Sequence, residues 1–430
     1  MIRHIGPGLI ISAVIVGSGE LIVTPKLGAT VGFSMLWFII LGCFIKVFVQ
    51  VELGRFAISR GMTTLAAMNS IPGPRFIVSW LLWLWLLMYF ALIFQVAGMV
   101  GGLASVFALA GIPLPAWALT VLVAASCAVL LVIGRYKMVE VLSTALVVLF
   151  TITTLVAVGA LQSTEFAITS AQIAQGLKFQ LPEKFTTAFA CFGIIGVGAS
   201  ELIYYPYWCL EKGYARNVGP HEDSAGWRER ARGWVRVMNI DAWVSFCIYT
   251  TATLSFYLLG AAVLHAKGLV VENNQMIPTL SHMYRETFGQ WSYWFFLVGA
   301  FAVLYSTVFG ATASNARLLA DALSLFGVVK YRAPEDRVRM VKVGCVLLPC
   351  AFAAVFLLVG EPVSLVFVGA LAQGLMLPFL AGAALYFRYR RTEAALRPGA
   401  FWSLWLWVAG LAMSAVGLYK VWEELGKLFK

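Results

Sequence analysis

The sequence predicts an all-α membrane protein of eleven transmembrane helices, built as a five-plus-five inverted repeat with one helix added. Three observations carry that reading. Hydrophobic residues make up 61% of the 430 positions and charged residues only 12%, where a soluble domain carries about twice that charged share. The apolar residues come in runs of about twenty or more, the length that spans a bilayer as helix. Finally, Val16-Gly17-Ser18-Gly19-Glu20-Leu21-Ile22 returns as Val197-Gly198-Ala199-Ser200-Glu201-Leu202-Ile203, with Glu20 and Glu201 181 positions apart and Pro25 carried onto Pro206.

Taken in order, the expected spans are 6–31, interrupted at Gly17–Gly19; 34–57; 76–108; 114–134; 139–161; 185–212, interrupted around Gly198–Ser200; 237–264; 291–320; 340–360; 363–387; and 401–421. Each is a long apolar run closed by glycine, proline or charge. The stretches 162–184 and 270–288 each have room for a short amphipathic helix. The whole chain, 1–430, reads as one transmembrane domain, with a first repeat at about 5–161, a second at about 185–388 and the extra helix at about 400–421.

Charge sets the expected orientation. With the N-terminus inside, the cytoplasmic segments hold twenty-two Lys and Arg residues and the opposite side seven. That asymmetry predicts a cytoplasmic N-terminus, an external C-terminus and a place in the cell membrane. The net charge of +11 is thereby assigned to topology, and no nucleic-acid partner is expected. Five spans, an odd number, precede the second copy of the motif, so the two copies enter the membrane from opposite faces.

The motif itself points to a site. A helix interrupted in lipid exposes amides and carbonyls, which persist only where they line a cavity or bind something. A mid-membrane carboxylate costs at least ~2.5–3.5 kcal/mol on insertion scales. Glu20 and Glu201, related by the repeat axis, are expected to approach one site. Carbonyls near Gly17 and Ala199 and the hydroxyls of Ser18 or Ser200 would complete an all-oxygen set, suited to Mg²⁺, Mn²⁺ or Ca²⁺. Were the glutamates merely paired, Lys26 and Lys46, both inside spans, would be their partners. Gln95 and Gln373 are intramembrane amides suited to bonding between helices, with Gln373 otherwise a candidate for the site and Gln95 for a polar path. Thr312 and Asn315 are candidates for a polar path along the eighth span. Glu52, Glu140 and Asp241 are expected as interfacial ion pairs with Arg55, Lys137 and Arg236.

Other classes find little support. The seven cysteines form no CxxC pair, so neither a disulfide framework nor a zinc site is indicated. No nucleophile–base pair, phosphate loop or cofactor motif is present, so neither an enzyme nor a resident cofactor is expected. The first apolar run starts near Ile5 without a basic leader, so no cleaved signal peptide is expected.

The stretch from Gly6, GPGLIISAVIVGSGELIVTPKLGATVGFSMLW, resembles the first helix of the Nramp divalent-metal transporters. Gln50, Arg55 and Gly61 match that family's second-helix pattern, and Gly111-Ile112-Pro113-Leu114 its GIPL connection. The run from Ser306 to Asn315 is similar to the eighth-helix STxTGTxAGQ, and Leu377-Pro378-Phe379 to the tenth-helix LPF. The resemblance covers nearly the whole chain and implies the LeuT-like fold of the APC superfamily. It also marks departures. The family's DPGN aspartate is Gly17 here, and its asparagine is Glu20. The MPH region of the sixth helix is Ala199-Ser200-Glu201. The acids of the third helix align with Gln95 and Gly98, and the tenth-helix glutamine with Ala370, one turn from Gln373. Such a pattern resembles a remote branch, some members of which move Mg²⁺ without proton coupling.

The expected function is therefore a secondary transporter or facilitator of a divalent cation, Mg²⁺ or Mn²⁺, bound between Glu20 and Glu201. The alternatives are a carrier of a small amine or amino acid, and a non-transporting sensor on a transporter scaffold. Lipid and the transported ion are the expected partners. A monomer is plausible, but the sequence leaves the oligomeric state open.

Overall fold

The computed structural model describes residues 5–134, 136–182, 185–269 and 275–428, without the side chains of residues 18–20, 136, 150, 185, 276, 283, 286 and 423–428. Ten helical stretches among these residues are long and apolar enough to cross a membrane. The first expected span runs from Pro7 to Val31 in three consecutive pieces: α1 (Pro7–Ile15), a π-helical segment (Val16–Val23) and α2 (Thr24–Val31).

The remaining elements follow the expected order. They are α3 (Leu36–Arg60), the short α4 (Thr64–Asn69), and a two-stranded hairpin of β1 (Arg75–Phe76) and β2 (Val78–Ser79). Then come α5 (Trp80–Leu109), α6 (Ala116–Ile133), α7 (Tyr136–Leu161) and α8 (Ser170–Gly176). The sixth span is split into α9 (Phe185–Ile194) and α10 (Ala199–Glu211). After α11 (Tyr214–Val218) come α12 (Ala225–Leu259, extended by a π turn), α13 (Met276–Phe288), α14 (Trp291–Leu325), α15 (Pro334–Val359), α16 (Pro362–Tyr386) and α17 (Ala400–Leu428). The helices α8 and α13 occupy the two stretches expected to hold short amphipathic segments.

Burial separates centre from rim. In the sixth span 89% of the most apolar stretch is buried, against 28% in the last. The polar, interrupted spans sit in the middle because only neighbouring helices can satisfy their open backbone groups. Helix α1 packs against α7, α10, α12 and α14, while α5 lies along α16 and α3 along α12. The peripheral α6, α7, α15 and α17 present apolar side chains such as Val129, Ile152, Leu358 and Leu411 outward, as lipid contact requires.

The two interruptions differ from each other and from expectation. Between Val16 and Val23 the chain stays helical but widens, so the first copy is a bulge rather than a gap. The second is a true break, but it falls at Ile195–Gly198, and Ala199 and Ser200 already belong to α10. The cause is Gly196, whose φ of +56° ends α9. Motif similarity located both interruptions to within a few residues, but it did not make their geometries alike.

Candidate functional site

The break in the sixth span leaves carbonyls open at the end of α9 and amides open at the start of α10. Lys46, on α3 and 0% exposed, reaches the carbonyl side. Its ammonium donates to the Ile195 carbonyl at 2.8 Å and to the Phe192 carbonyl. It also lies 4.6 Å from the centre of the Phe192 ring. A negative helix end inside the membrane is thus met by a cation from the neighbouring span.

Glu201 occupies the third position of α10, with Gly198 as N-cap. It is buried, with its carboxylate near the amides of Gly198 and Glu201 and the Ser200 hydroxyl, and within electrostatic reach of Lys46. A carboxylate in a first turn is stabilised by the amides it faces. A Cβ on Gly198 would stand 2.5 Å from Glu201 Oε2 and 2.6 Å from Gln373 Oε1, so the missing side chain makes room for this polar cluster.

The cluster extends across the bundle. The Ser200 amide and hydroxyl both donate to Gln373 Oε1 at 2.9 Å, and Gln373 Nε2 donates to Gln95 Oε1 at 2.9 Å. Residues from the third, sixth and tenth spans therefore form one chain, Gln95–Gln373–Ser200, beside Glu201. The Ala199 carbonyl, expected as an ion ligand, instead lies inside a helix. The Gly198 carbonyl before it accepts the Leu202 amide at 2.9 Å.

On the first span, Ser306 and Thr307 of α14 donate to the carbonyls of Ala13 and Val14 at 3.0–3.1 Å. Gly17 packs so closely on α14 that a Cβ would run into Thr307 Oγ1 and the Val303 carbonyl. Its smallness therefore serves helix contact. The side chains of Ser18 and Glu20 lie outside the described residues, and only their backbone, within the π-helical segment, is placed. Among the described residues no three His, Cys, Asp or Glu side chains group as a metal site.

The eighth-span candidates fall elsewhere. The Thr312 hydroxyl donates back to Val308 at 2.6 Å within its own helix. Asn315 joins the cluster indirectly: its Oδ1 accepts from Tyr204 at 2.8 Å, and its carbonyl from Tyr89 at 3.2 Å. Tyr204, three residues after Glu201, was not singled out in the sequence. The run Ile203-Tyr204-Tyr205-Pro206-Tyr207 was the available signal, since several phenols in one buried span need partners.

Asp241 corrects another expectation. Instead of pairing with Arg236, it accepts the Gly6 amide at 2.9 Å and the Gly8 amide at 2.7 Å, at the N-terminus of α1. The Tyr205 hydroxyl stands 3.0 Å from both Asp241 Oδ2 and the Met238 carbonyl. Ser12 and Ser245 meet at 2.8 Å one turn further in. Helix α1 is thus tied to α12 at the end expected to face the cytoplasm. Glu52 and Glu140 do form ion pairs, with Arg55 and Arg388 and with Lys137 and Lys212 respectively.

Residues 8–423 match the family model described as Natural resistance-associated macrophage protein-like. The chain belongs to the Nramp family. A mutant of the Eremococcus coleocola manganese transporter superposes with a TM-score of 0.68 at 14% identity, covering 99% of this chain and 87% of that one. Mhp1, a nucleobase-cation-symport-1 family transporter in a closed conformation with bromovinylhydantoin bound, gives 0.62 at 15%, covering 96% and 91%. At such identities the likeness establishes the fold, which is LeuT-like. A search of curated proteins finds no match.

Proposed function

We propose that this Nramp-family protein is a multi-pass secondary transporter or facilitator that moves a divalent metal cation, Mg²⁺ or Mn²⁺, without proton coupling. The observation that carries the reading is the buried Glu201 carboxylate at the start of α10, beside the amide oxygens of Gln373 and Gln95. All of these are hard oxygen donors, which favours Mg²⁺ and Mn²⁺ over softer ions. Glu20, its repeat-related partner, supplies the second carboxylate. The N-terminus faces the cytoplasm, in keeping with the basic residues of the inner loops, and the protein works in the cell membrane without a resident cofactor.

The test is a divalent-ion flux panel in proteoliposomes, run with and without a pH gradient. Uptake of Mg²⁺ or Mn²⁺ is expected to be indifferent to the gradient and lost in both Glu20→Gln and Glu201→Gln. Full uptake in both variants would overturn the site.

One observation favours a second reading. The helix N-terminus of α10 and the Glu201 carboxyl set a positive end beside an acid, which suits the two charges of a small zwitterionic solute such as an amino acid. Calorimetric titration with amines and amino acids in metal-free buffer separates the two, because the divalent reading requires metal-dependent heat. Absence of flux for every ion and solute would leave a non-transporting sensor.

A further inference from the structure

We infer that the broken sixth span contains a monovalent-cation subsite, and that the Lys46 ammonium is the cation resident in it. A helix broken inside a membrane leaves carbonyls that neither water nor an i+4 amide reaches. Two such carbonyls, of Phe192 and Ile195, converge on one ammonium, which is 0% exposed and closed over by the Phe192 ring. Convergent carbonyl oxygens, an aromatic face and burial from solvent are the surroundings that hold a desolvated monovalent cation. The subsite is composed as an ion site, but its ion is tethered to α3.

Two further features bear on this. The Glu201 carboxyl group lies within electrostatic reach of the ammonium, an acidic neighbour for the subsite. The Gln50 amide lies one turn along the same face of α3. It is fully buried, and neither its oxygen nor its nitrogen has a hydrogen-bond partner. It is buried polar capacity left unspent on the same helix.

The fixed ammonium has two consequences. The wild-type protein has no need of Na⁺ or K⁺ to hold the break together. Removing the side chain down to Cβ turns the subsite into a binding site for a small monovalent cation, with ammonium, which keeps the lysine's donors, as the best fit. This holds whichever substrate the protein moves.

The experiment compares thermal unfolding of purified wild type, Lys46→Ala, Lys46→Met and Lys46→Arg in choline chloride, in sodium chloride and in ammonium chloride at equal ionic strength. Wild type and Lys46→Arg should unfold at the same temperature in all three salts. Lys46→Ala should be destabilised in choline and recover several degrees, saturably, in ammonium or sodium. Lys46→Met, which fills the space without charge, should be destabilised in every salt and recover in none. If Lys46→Ala is not obtained folded in choline, extraction in ammonium chloride should restore its folded yield. A Lys46→Ala protein as stable as wild type in choline overturns the inference, and so does one that gains neither temperature nor yield from ammonium or sodium. Because the readout is stability, failure here is distinct from failure of the transport reading, which the flux panel decides.

Discussion

Replacing Asp241 by Asn tests how the end of the first span is held shut. Two backbone amides at the start of α1 and a shared phenolic proton converge on this side chain. Every partner is a donor, so the carboxylate need only accept. Asn keeps one oxygen for one amide but turns an NH₂ group toward the other, leaving a buried N–H without an acceptor. Losing one charge-assisted bond costs roughly 1.5–3 kcal/mol, and the orphaned donor adds about 1 or more. A total near ~3 kcal/mol raises the open-to-closed ratio of this end about a hundredfold, since 1.4 kcal/mol is roughly a factor of ten. Hydrogen exchange reads that ratio directly, because an amide exchanges only when its segment opens. Amides of Gly8–Ile15 should exchange about a hundredfold faster in Asp241→Asn, while those of α15, remote from the contact, keep their wild-type rates. Equal rates in the first span would refute the assignment of Asp241 as its tether.

Three further outcomes follow from the packing. Gly17→Ala drives a methyl group into Thr307 Oγ1 and the Val303 carbonyl, a backbone atom that cannot turn aside. Overpacking of this kind costs roughly 1–3 kcal/mol, visible as a lowered unfolding temperature, whereas Gly382→Ala, with open space around it, should be silent. Glu52→Ala leaves the guanidinium groups of Arg55 and Arg388 without the carboxylate each meets at 3.1 Å. Breaking a buried pair costs about 3–5 kcal/mol, and the loss should appear in denaturant or thermal unfolding of the solubilised protein. At the end expected to face the cytoplasm, Arg228 donates to Glu393 at 2.6 Å and holds its carboxyl below the ordinary range. That tether is present above the usual glutamate value of about 4.3 and lost as pH falls through the lowered one. Limited proteolysis of the 392–399 loop should therefore rise only in acid for wild type, and already at neutral pH for Arg228→Ala.

Much of the architecture was legible along the chain. Hydropathy runs located the spans, and the two that carried glycines and an acid mid-way are the first, which runs in three pieces, and the sixth, which runs in two. The site was legible in part. Glu201, Ser200, Gln373 and Gln95 do converge, because a polar side chain in an apolar span has few places to turn except other polar side chains. Lys46 was visible only as a possible counter-charge, and nothing in the sequence said that it would meet carbonyls. Asp241 was matched to the nearest arginine, Arg236, because sequence proximity was the available guide. The α1 amides it actually binds come from 233 and 235 positions away. Thr312, conspicuous among small residues, donates within its own helix and meets the Cys127 thiol of α6 at 3.7 Å.

Residue order alone is enough to place the membrane crossings, the two interruptions and the acid at the second of them. These are local properties: apolar run length, glycine and the placing of a charge. That one interruption is a bulge and the other a break, and which groups answer the atoms the break exposes, follows from how the helices pack. Ser200 meets Gln373 across 173 positions, Gln373 meets Gln95 across 278, and Lys46 meets Ile195 across 149. In lipid an open carbonyl or amide takes whichever partner the packed bundle brings within 3 Å or so, and that choice is made by the packing of distant helices.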